Sequence, residues 1–112
     1  MVELMDLKKL ATEYFETFSR KDLGGLALMF HVDVSLHDWE VSAEGIHDVL
    51  AANKKIFDGV DTIKVVPLDL YQDGNVVVAE LNIVINEQEV IAVADVLTFE
   101  YDKIIMVRAY KG

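Results

Sequence analysis

The chain has 112 residues, which is enough for one domain with a single hydrophobic core. Twenty acidic residues against 10 basic ones give a formal net charge of −10. This negative field repels nucleic acids and anionic membrane surfaces, so neither is expected as a partner. The absence of cysteine excludes disulfides, thiolate catalysis and cysteine metal sites.

The first residues, MVELMDLKK, lack the basic and then apolar pattern of a secretory signal. No apolar run in the sequence reaches the length that crosses a membrane. We therefore expect a cytoplasmic protein that consists of one domain, residues 1–112.

Three helices are predicted, two of them from apolar stripes with helical spacing. The first is expected from Glu3 to Arg20 and the third from Glu44 to Phe57. Between them, Asp22 can cap a short helix through LGGLALMF, where Gly24 and Gly25 indicate a close helix contact or a turn. The two stripes comprise Leu4, Leu7, Ala11, Tyr14 and Phe18, and then Ile46, Val49, Leu50, Asn53, Ile56 and Phe57.

The strand predicted between the second and third helices contains an acidic residue on an apolar face. In SLHDWE, alternation places Asp38 on the same face as Val34 and Leu36, so a carboxylate follows two aliphatic side chains toward the interior. The same alternation predicts that Trp39 points away from Asp38, toward a second sheet or a partner chain.

After Gly59 the pattern changes to period two and predicts four successive antiparallel strands. The strands are DTIKVVPLDLY, NVVVAELNIVIN, VIAVADVLTFE and IIMVRAYK, separated by the turn segments QDGN, NEQE and YDK. Pro67 indicates an edge position or a bulge in the first of them. Helices followed by a run of strands are typical of an α+β fold, with the helices on one face of a curved, mainly antiparallel sheet.

The predicted sheet is largely apolar on both faces. One face of NVVVAELNIVIN holds only aliphatic residues, and in VIAVADVLTFE the face opposite Asp95 is small and mostly apolar. Hydrophobic residues make up 53% of the chain, an excess that a dimer or a deep apolar pocket would explain. Since the helices can cover only one face, we expect a homodimer through the other.

Three polar groups lie on apolar faces that can enclose a common cavity: Asp38, Asp95 and Tyr14. Each has a simpler interpretation as well. Tyr14 can be core packing with its hydroxyl at the rim, Asp95 can bond backbone donors, and Asp38 can lie in water at a strand end. Because an unpaired buried acid is costly, two acids facing inward favour a functional role.

Four segments carry a family resemblance: EYFETFSRKDLGGLALMF, SLHDWE, EGIHDVLAANKKIF and IIMVRAYKG. In this order they resemble the opening helix pair, the first strand, the third helix and the last strand of the ketosteroid isomerase and SnoaL-like branch of the nuclear transport factor 2-like (NTF2-like) superfamily. The resemblance covers nearly the whole chain and implies a cone-shaped α+β fold with three helices packed on a curved sheet.

By position, the resemblance implies that Asp38 is the general base and that Tyr14 and a protonated Asp95 form the oxyanion hole. In such a site an ionised base moves a proton next to a carbonyl, and neutral donors hold the enolate oxygen. The implied ligand is a small apolar carbonyl compound. Two positions depart from the family: Leu50 stands where its isomerases carry a further tyrosine, and Trp39 where proline is expected.

Three functions stay open on this basis: an isomerase, a SnoaL-like polyketide cyclase in which Asp38 serves an intramolecular aldol closure, and a non-catalytic small-molecule-binding dimer. No cofactor is expected, because the sequence has no glycine-rich phosphate loop. No metal is expected either, since His31, His37 and His47 lack the spacing of metal ligands.

Overall fold

The computed structural model describes residues 6–112, which form three helices and six strands. The helices are α1 (Leu7–Ser19), α2 (Leu23–Met29) and α3 (Ile46–Asp58). The strands are β1 (Phe30–His37), β2 (Ser42–Glu44), β3 (Ile63–Asp73), β4 (Val76–Ile85), β5 (Glu89–Glu100) and β6 (Lys103–Lys111). The predicted helix start at Glu3 and the stripe residue Leu4 lie outside the described residues. None of the three helices is long and apolar enough to cross a membrane.

The first two helices begin at aspartate caps. The side chains of Asp6 and Asp22 each accept a hydrogen bond from the backbone N–H three residues further on, at 3.1 and 2.9 Å. The cap predicted at Asp22 is thus confirmed. The third helix begins at Ile46 and not at Glu44, because Glu44 belongs to β2 and Gly45 follows with φ +86°, a conformation outside the helix that glycine adopts without strain.

The six strands form one sheet in the order β2-β1-β6-β5-β4-β3. Neighbouring strands are antiparallel except β1 and β6, which run parallel. β3 lies at one edge, and its pairing with β4 shifts between Pro67 and Asp69, so both features that Pro67 indicates are present. The four strands predicted after α3 are confirmed. β2 was not predicted, because its three residues are too few to show an alternating pattern.

The helices pack on a single face of the sheet, where α1 lies on β3 and α3 on β1. This is the predicted cone-shaped α+β fold, with a curved sheet whose concave face is covered by helices. Fully buried side chains from both layers, among them Phe15 of α1, Val49 of α3 and Leu97 of β5, form the core. The sheet's other face carries no helix among the described residues.

Candidate active site

A cavity of about 360 Å³ lies between α1, α3 and the concave face of the sheet. Its walls are mostly apolar. They include Phe15, Phe18, Leu36, Ile56, Leu81, Ile83, Val93 and Val107. The three polar residues proposed from the sequence, Tyr14, Asp38 and Asp95, all line this one cavity.

Tyr14 reaches the cavity from α1 and is only 4% exposed. Its ring packs against those of Phe15, Phe18 and Phe30, at centroid distances of 5.5, 6.1 and 5.9 Å, which limits where its hydroxyl can lie. Burial, and to a smaller extent the carboxyl of Asp95, raises the pKa of the Tyr14 phenol. Tyr14 therefore stays protonated and can donate a hydrogen bond.

Asp95 enters the cavity from the middle of β5 and is 8% exposed. Its neighbours across the sheet are Ala79 of β4 and Ala109 of β6, which bring no charge to it. Burial, followed by repulsion from Asp38, raises the pKa of Asp95 from its ordinary value of 3.8 to about 7. Below about pH 7 the acid is therefore mostly protonated and can donate a hydrogen bond.

Asp38 follows the last residue of β1 and is half-buried at the edge of the cavity. Its Oδ1 accepts hydrogen bonds from the backbone N–H groups of Glu40 (2.7 Å) and Val41 (2.6 Å), and its own N–H donates to the Val41 carbonyl (2.9 Å). A short side chain that bonds its own backbone in this way turns the chain and ends the strand. The turn uses only Oδ1, so Oδ2 is not needed to hold it.

The prediction that Trp39 points away from Asp38 is wrong. Trp39 lies at the mouth of the same cavity, 43% exposed, with Lys111 Nζ 5.9 Å from its ring centroid. Strand alternation does not extend to Trp39, because β1 ends before Asp38 and the turn there redirects the chain. Two exposed acids, Glu40 and Glu89, also line the mouth.

A further buried polar side chain, that of Asn53 on α3, lines the cavity, and the sequence predicts for it only a place on a helix stripe. The signal that could have identified it is an amide spaced four residues from both Val49 and Phe57 on the core-facing stripe. Asn53 is 2% exposed, and among residues 6–112 its Nδ2 has no hydrogen-bond partner. Leu50, where the family's isomerases carry a tyrosine, packs against the hydrophobic core.

The described part of the chain holds no group of three or more His, Asp or Glu side chains that could bind a metal ion. Four polar side chains of the cavity lining are buried or half-buried, whereas those of Glu40, Glu89 and Lys111 are exposed. The four comprise one half-buried carboxylate and three groups that can donate hydrogen bonds: a phenol, a carboxyl with its pKa near neutrality, and an amide.

Comparison with solved structures places the fold among NTF2-like proteins. A proposed SnoaL-like polyketide cyclase from Shewanella putrefaciens has a TM-score of 0.85 at 16% identity, covering 97% of this chain and 91% of that one. A proposed ketosteroid isomerase from Kribbella flavida has a TM-score of 0.79 at 20% identity, covering 93% and 76%. An NTF2-like protein of unknown function from Cytophaga hutchinsonii has a TM-score of 0.82 at 16% identity, covering 100% and 95%.

At these identities the structural likeness establishes the fold alone. No curated protein matches the sequence at a significant level. The family profile of the SnoaL-like domain, however, matches residues 11–107, which is most of the chain. The chain therefore belongs to the SnoaL-like domain family, and its fold is NTF2-like.

Proposed function

We propose that the protein is an acid–base enzyme of the ketosteroid isomerase type, which moves a proton next to a carbonyl group in a small apolar ketone. The observation that carries this proposal is the contrast between two carboxyl groups in one cavity. Asp38 is half-buried at a strand end, whereas Asp95 is buried and has its pKa raised to about 7. Carboxyl groups in such different environments suit the base and the acid of one site.

In the proposed reaction, the Asp38 carboxylate takes a proton from the carbon between the carbonyl and the double bond of a β,γ-unsaturated ketone. The C–H electron pair forms a new C–C double bond as the carbonyl π electrons move onto oxygen. Tyr14 and the neutral Asp95 donate hydrogen bonds to the enolate oxygen. Asp38 then returns the proton to the γ-carbon, which shifts the double bond into conjugation and regenerates the base.

The cavity supports a small, neutral and largely apolar substrate. Its volume of about 360 Å³ lies at the lower end of the range for small-molecule sites. Aliphatic and aromatic walls favour a hydrocarbon frame. The net charge of −10 and the acids Glu40 and Glu89 at the mouth disfavour an anionic substrate.

Two observations favour a SnoaL-like cyclase as the second candidate. The matching family profile is that of the SnoaL-like domain, and the similar structure from Shewanella putrefaciens is a proposed polyketide cyclase. In this case the enolate made by Asp38 would attack a second carbonyl of the same molecule and close a ring through a new C–C bond. The attacked carbonyl oxygen would then take up the proton that Asp38 had removed, which regenerates the base.

The proposal is tested with a panel of small β,γ-unsaturated ketones, following the ultraviolet absorbance of the conjugated product. We expect turnover by the wild type and its loss in Asp38→Asn. The variant should still bind 5,6,7,8-tetrahydro-2-naphthol, a phenol that mimics the enolate, with unchanged or higher affinity. Glu40→Gln is the matched control, because it removes an acid at the mouth while its backbone N–H still serves the Asp38 turn.

Equal rates for the wild type and Asp38→Asn would contradict the proposed base. If the wild type binds the phenol but converts none of the ketones, a panel of compounds with two carbonyl groups tests the cyclase. Binding without turnover in both panels is the result expected of a non-catalytic binding protein.

A further inference from the structure

We propose that Asn53 is a ligand-binding residue, whose side-chain amide donates a hydrogen bond to a second oxygen of the substrate. This inference rests on the proposed function, in which Tyr14 and Asp95 hold the reacting carbonyl oxygen. It narrows the substrate class to neutral ketones that carry a further carbonyl, ether or hydroxyl oxygen.

The position of Asn53 places its side chain at the cavity wall. Asn53 lies on α3 between Val49 and Phe57, which are 0% and 5% exposed, so this stripe of the helix faces the interior. Asn53 itself is 2% exposed and belongs to the lining of the cavity. A hydrophobic residue would suit the stripe equally well if packing were the only requirement.

The Nδ2 group of Asn53 has no hydrogen-bond partner among residues 6–112. It is therefore not used to orient Tyr14, Asp38 or Asp95. Buried polar atoms in folded proteins are almost always paired, and an unpaired one is destabilising. A buried donor that lacks a partner, on a side chain that belongs to a cavity wall, is explained by an acceptor that arrives with the ligand.

Asn53 differs from the other polar groups of the cavity in its element and in its charge. Tyr14 and Asp95 reach the cavity from α1 and β5, whereas Asn53 reaches it from α3. An amide carries no charge and cannot act as a base near neutral pH. It therefore adds a neutral donor to the cavity. In our proposal this donor binds an oxygen other than the one held by Tyr14 and Asp95, so the ligand carries two oxygen functions.

The test compares phenols that differ by one ketone oxygen: 5,6,7,8-tetrahydro-2-naphthol against 6- and 7-hydroxy-1-tetralone. The phenol oxygen is expected at the site of Tyr14 and Asp95, and the two isomers place the ketone at different separations from it. Dissociation constants are measured by calorimetry for the wild type, Asn53→Leu and Asn53→Ala. Two substitutions are used so that a folding defect in one leaves the other to decide.

In the wild type, we expect at least one hydroxytetralone to bind more tightly than the tetrahydronaphthol. Both Asn53 variants should lower that affinity ratio by roughly three- to tenfold, the range that one neutral hydrogen bond contributes. The ketone also changes the acidity of the phenol, but equally for every protein, so only the change in ratio counts. Ile56→Val is the matched control on the same helix, since it alters the cavity wall without removing a donor and should leave the ratio unchanged.

An affinity ratio that is the same in the wild type and both Asn53 variants, for both isomers, would overturn the inference. Failure of the proposed function has a different signature: Tyr14→Phe would then leave the affinity for the tetrahydronaphthol unchanged. If the ratio still falls in the Asn53 variants in that case, Asn53 is the ligand-binding residue of a cavity that is not an isomerase site.

Discussion

Asp95 couples the chemistry of the cavity to the stability of the fold. Its pKa rises from 3.8 to about 7 on folding, so between these values the folded chain binds a proton that the unfolded chain does not. The stability linked to this proton is fully present below about pH 4 and is lost as the pH rises through 7. The sign follows from burial, which disfavours the charged carboxylate in the folded state only.

Urea unfolding at pH 5.5 and pH 8 measures this linkage. For the wild type, we expect the contribution of Asp95 to the free energy of unfolding to be about 2 kcal/mol larger at pH 5.5 than at pH 8. Asp95→Asn should remove that difference. The control variant Asp73→Asn, which changes an exposed acid, should leave it in place. Equal pH dependence in the wild type and Asp95→Asn would show that Asp95 is ionised in the folded protein throughout this range.

The phenol of Tyr14 is expected to act on catalysis and not on folding. Tyr14→Phe keeps the ring that packs against Phe15, Phe18 and Phe30 but removes the hydroxyl donor. We expect kcat/KM for the β,γ-unsaturated ketones to fall, because the variant loses about 2–4 kcal/mol of transition-state stabilisation. The melting temperature should change little. Tyr71→Phe is the control, because the exposed Tyr71 hydroxyl donates to Glu80. Full activity in Tyr14→Phe would remove Tyr14 from the oxyanion hole.

The helix α2 contains two adjacent glycines with different environments. A Cβ atom added to Gly25 would lie 2.6 Å from Asp22 Oδ2 and 2.8 Å from Thr17 Cγ2, whereas one added to Gly24 would find its nearest neighbour at 3.7 Å, in ordinary contact. Gly25 therefore allows the close approach of α2 to its own cap and to α1. The close helix contact expected from the sequence is present at Gly25 alone.

Alanine substitutions separate these two roles. Gly24→Ala should stabilise the protein by about 0.5–1 kcal/mol, since alanine has the higher helix propensity. Gly25→Ala should destabilise it by about 1–3 kcal/mol, because overlap with Asp22 and Thr17 exceeds the gain in propensity. Chemical denaturation of both variants checks the prediction. An equal gain in stability at the two positions would contradict the close contact at Gly25.

Periodicity predicted those parts of the site that lie inside long regular elements. Tyr14 and Asp95 occur within a continuous helix and a continuous strand, so spacing alone indicated that they face inward. Trp39 was misplaced because the end of β1 depends on hydrogen bonds from the Asp38 side chain, which no alternation encodes. The role of Asn53 also escaped prediction, because whether an amide finds a partner depends on the residues that other elements bring near it.

The outer face of the sheet, opposite the face on which the helices pack, is not covered by any helix of residues 6–112. Across this face, Val78 of β4, Val96 of β5 and Arg108 of β6 are aligned in register. Tyr110 at the end of β6 is 55% exposed, and Arg108 Nε is buried without a hydrogen-bond partner among the described residues. We propose that a second copy of the chain covers this face and supplies an acceptor to Arg108.

Sedimentation at micromolar concentration tests the proposed homodimer. We expect the wild type at twice the 12.6 kDa mass of one chain and Val96→Glu at the mass of one chain. Leu28→Glu is the control, because Leu28 is 74% exposed on α2, on the helical side of the sheet, and its substitution should leave the dimer intact.

The glutamate in Val96→Glu would lie directly opposite Arg108 on the neighbouring strand. A cross-strand pair of opposite charges is stabilising within one chain, so the variant should remain folded while the glutamate occupies the guanidinium and adds a charge to the interface. A wild type that sediments at 12.6 kDa would contradict the dimer. A dimer that survives Val96→Glu would instead place the contact on another surface, because an interface here would have to desolvate the pair that the introduced glutamate forms with Arg108, with Arg108 no longer free for an acceptor from the second copy.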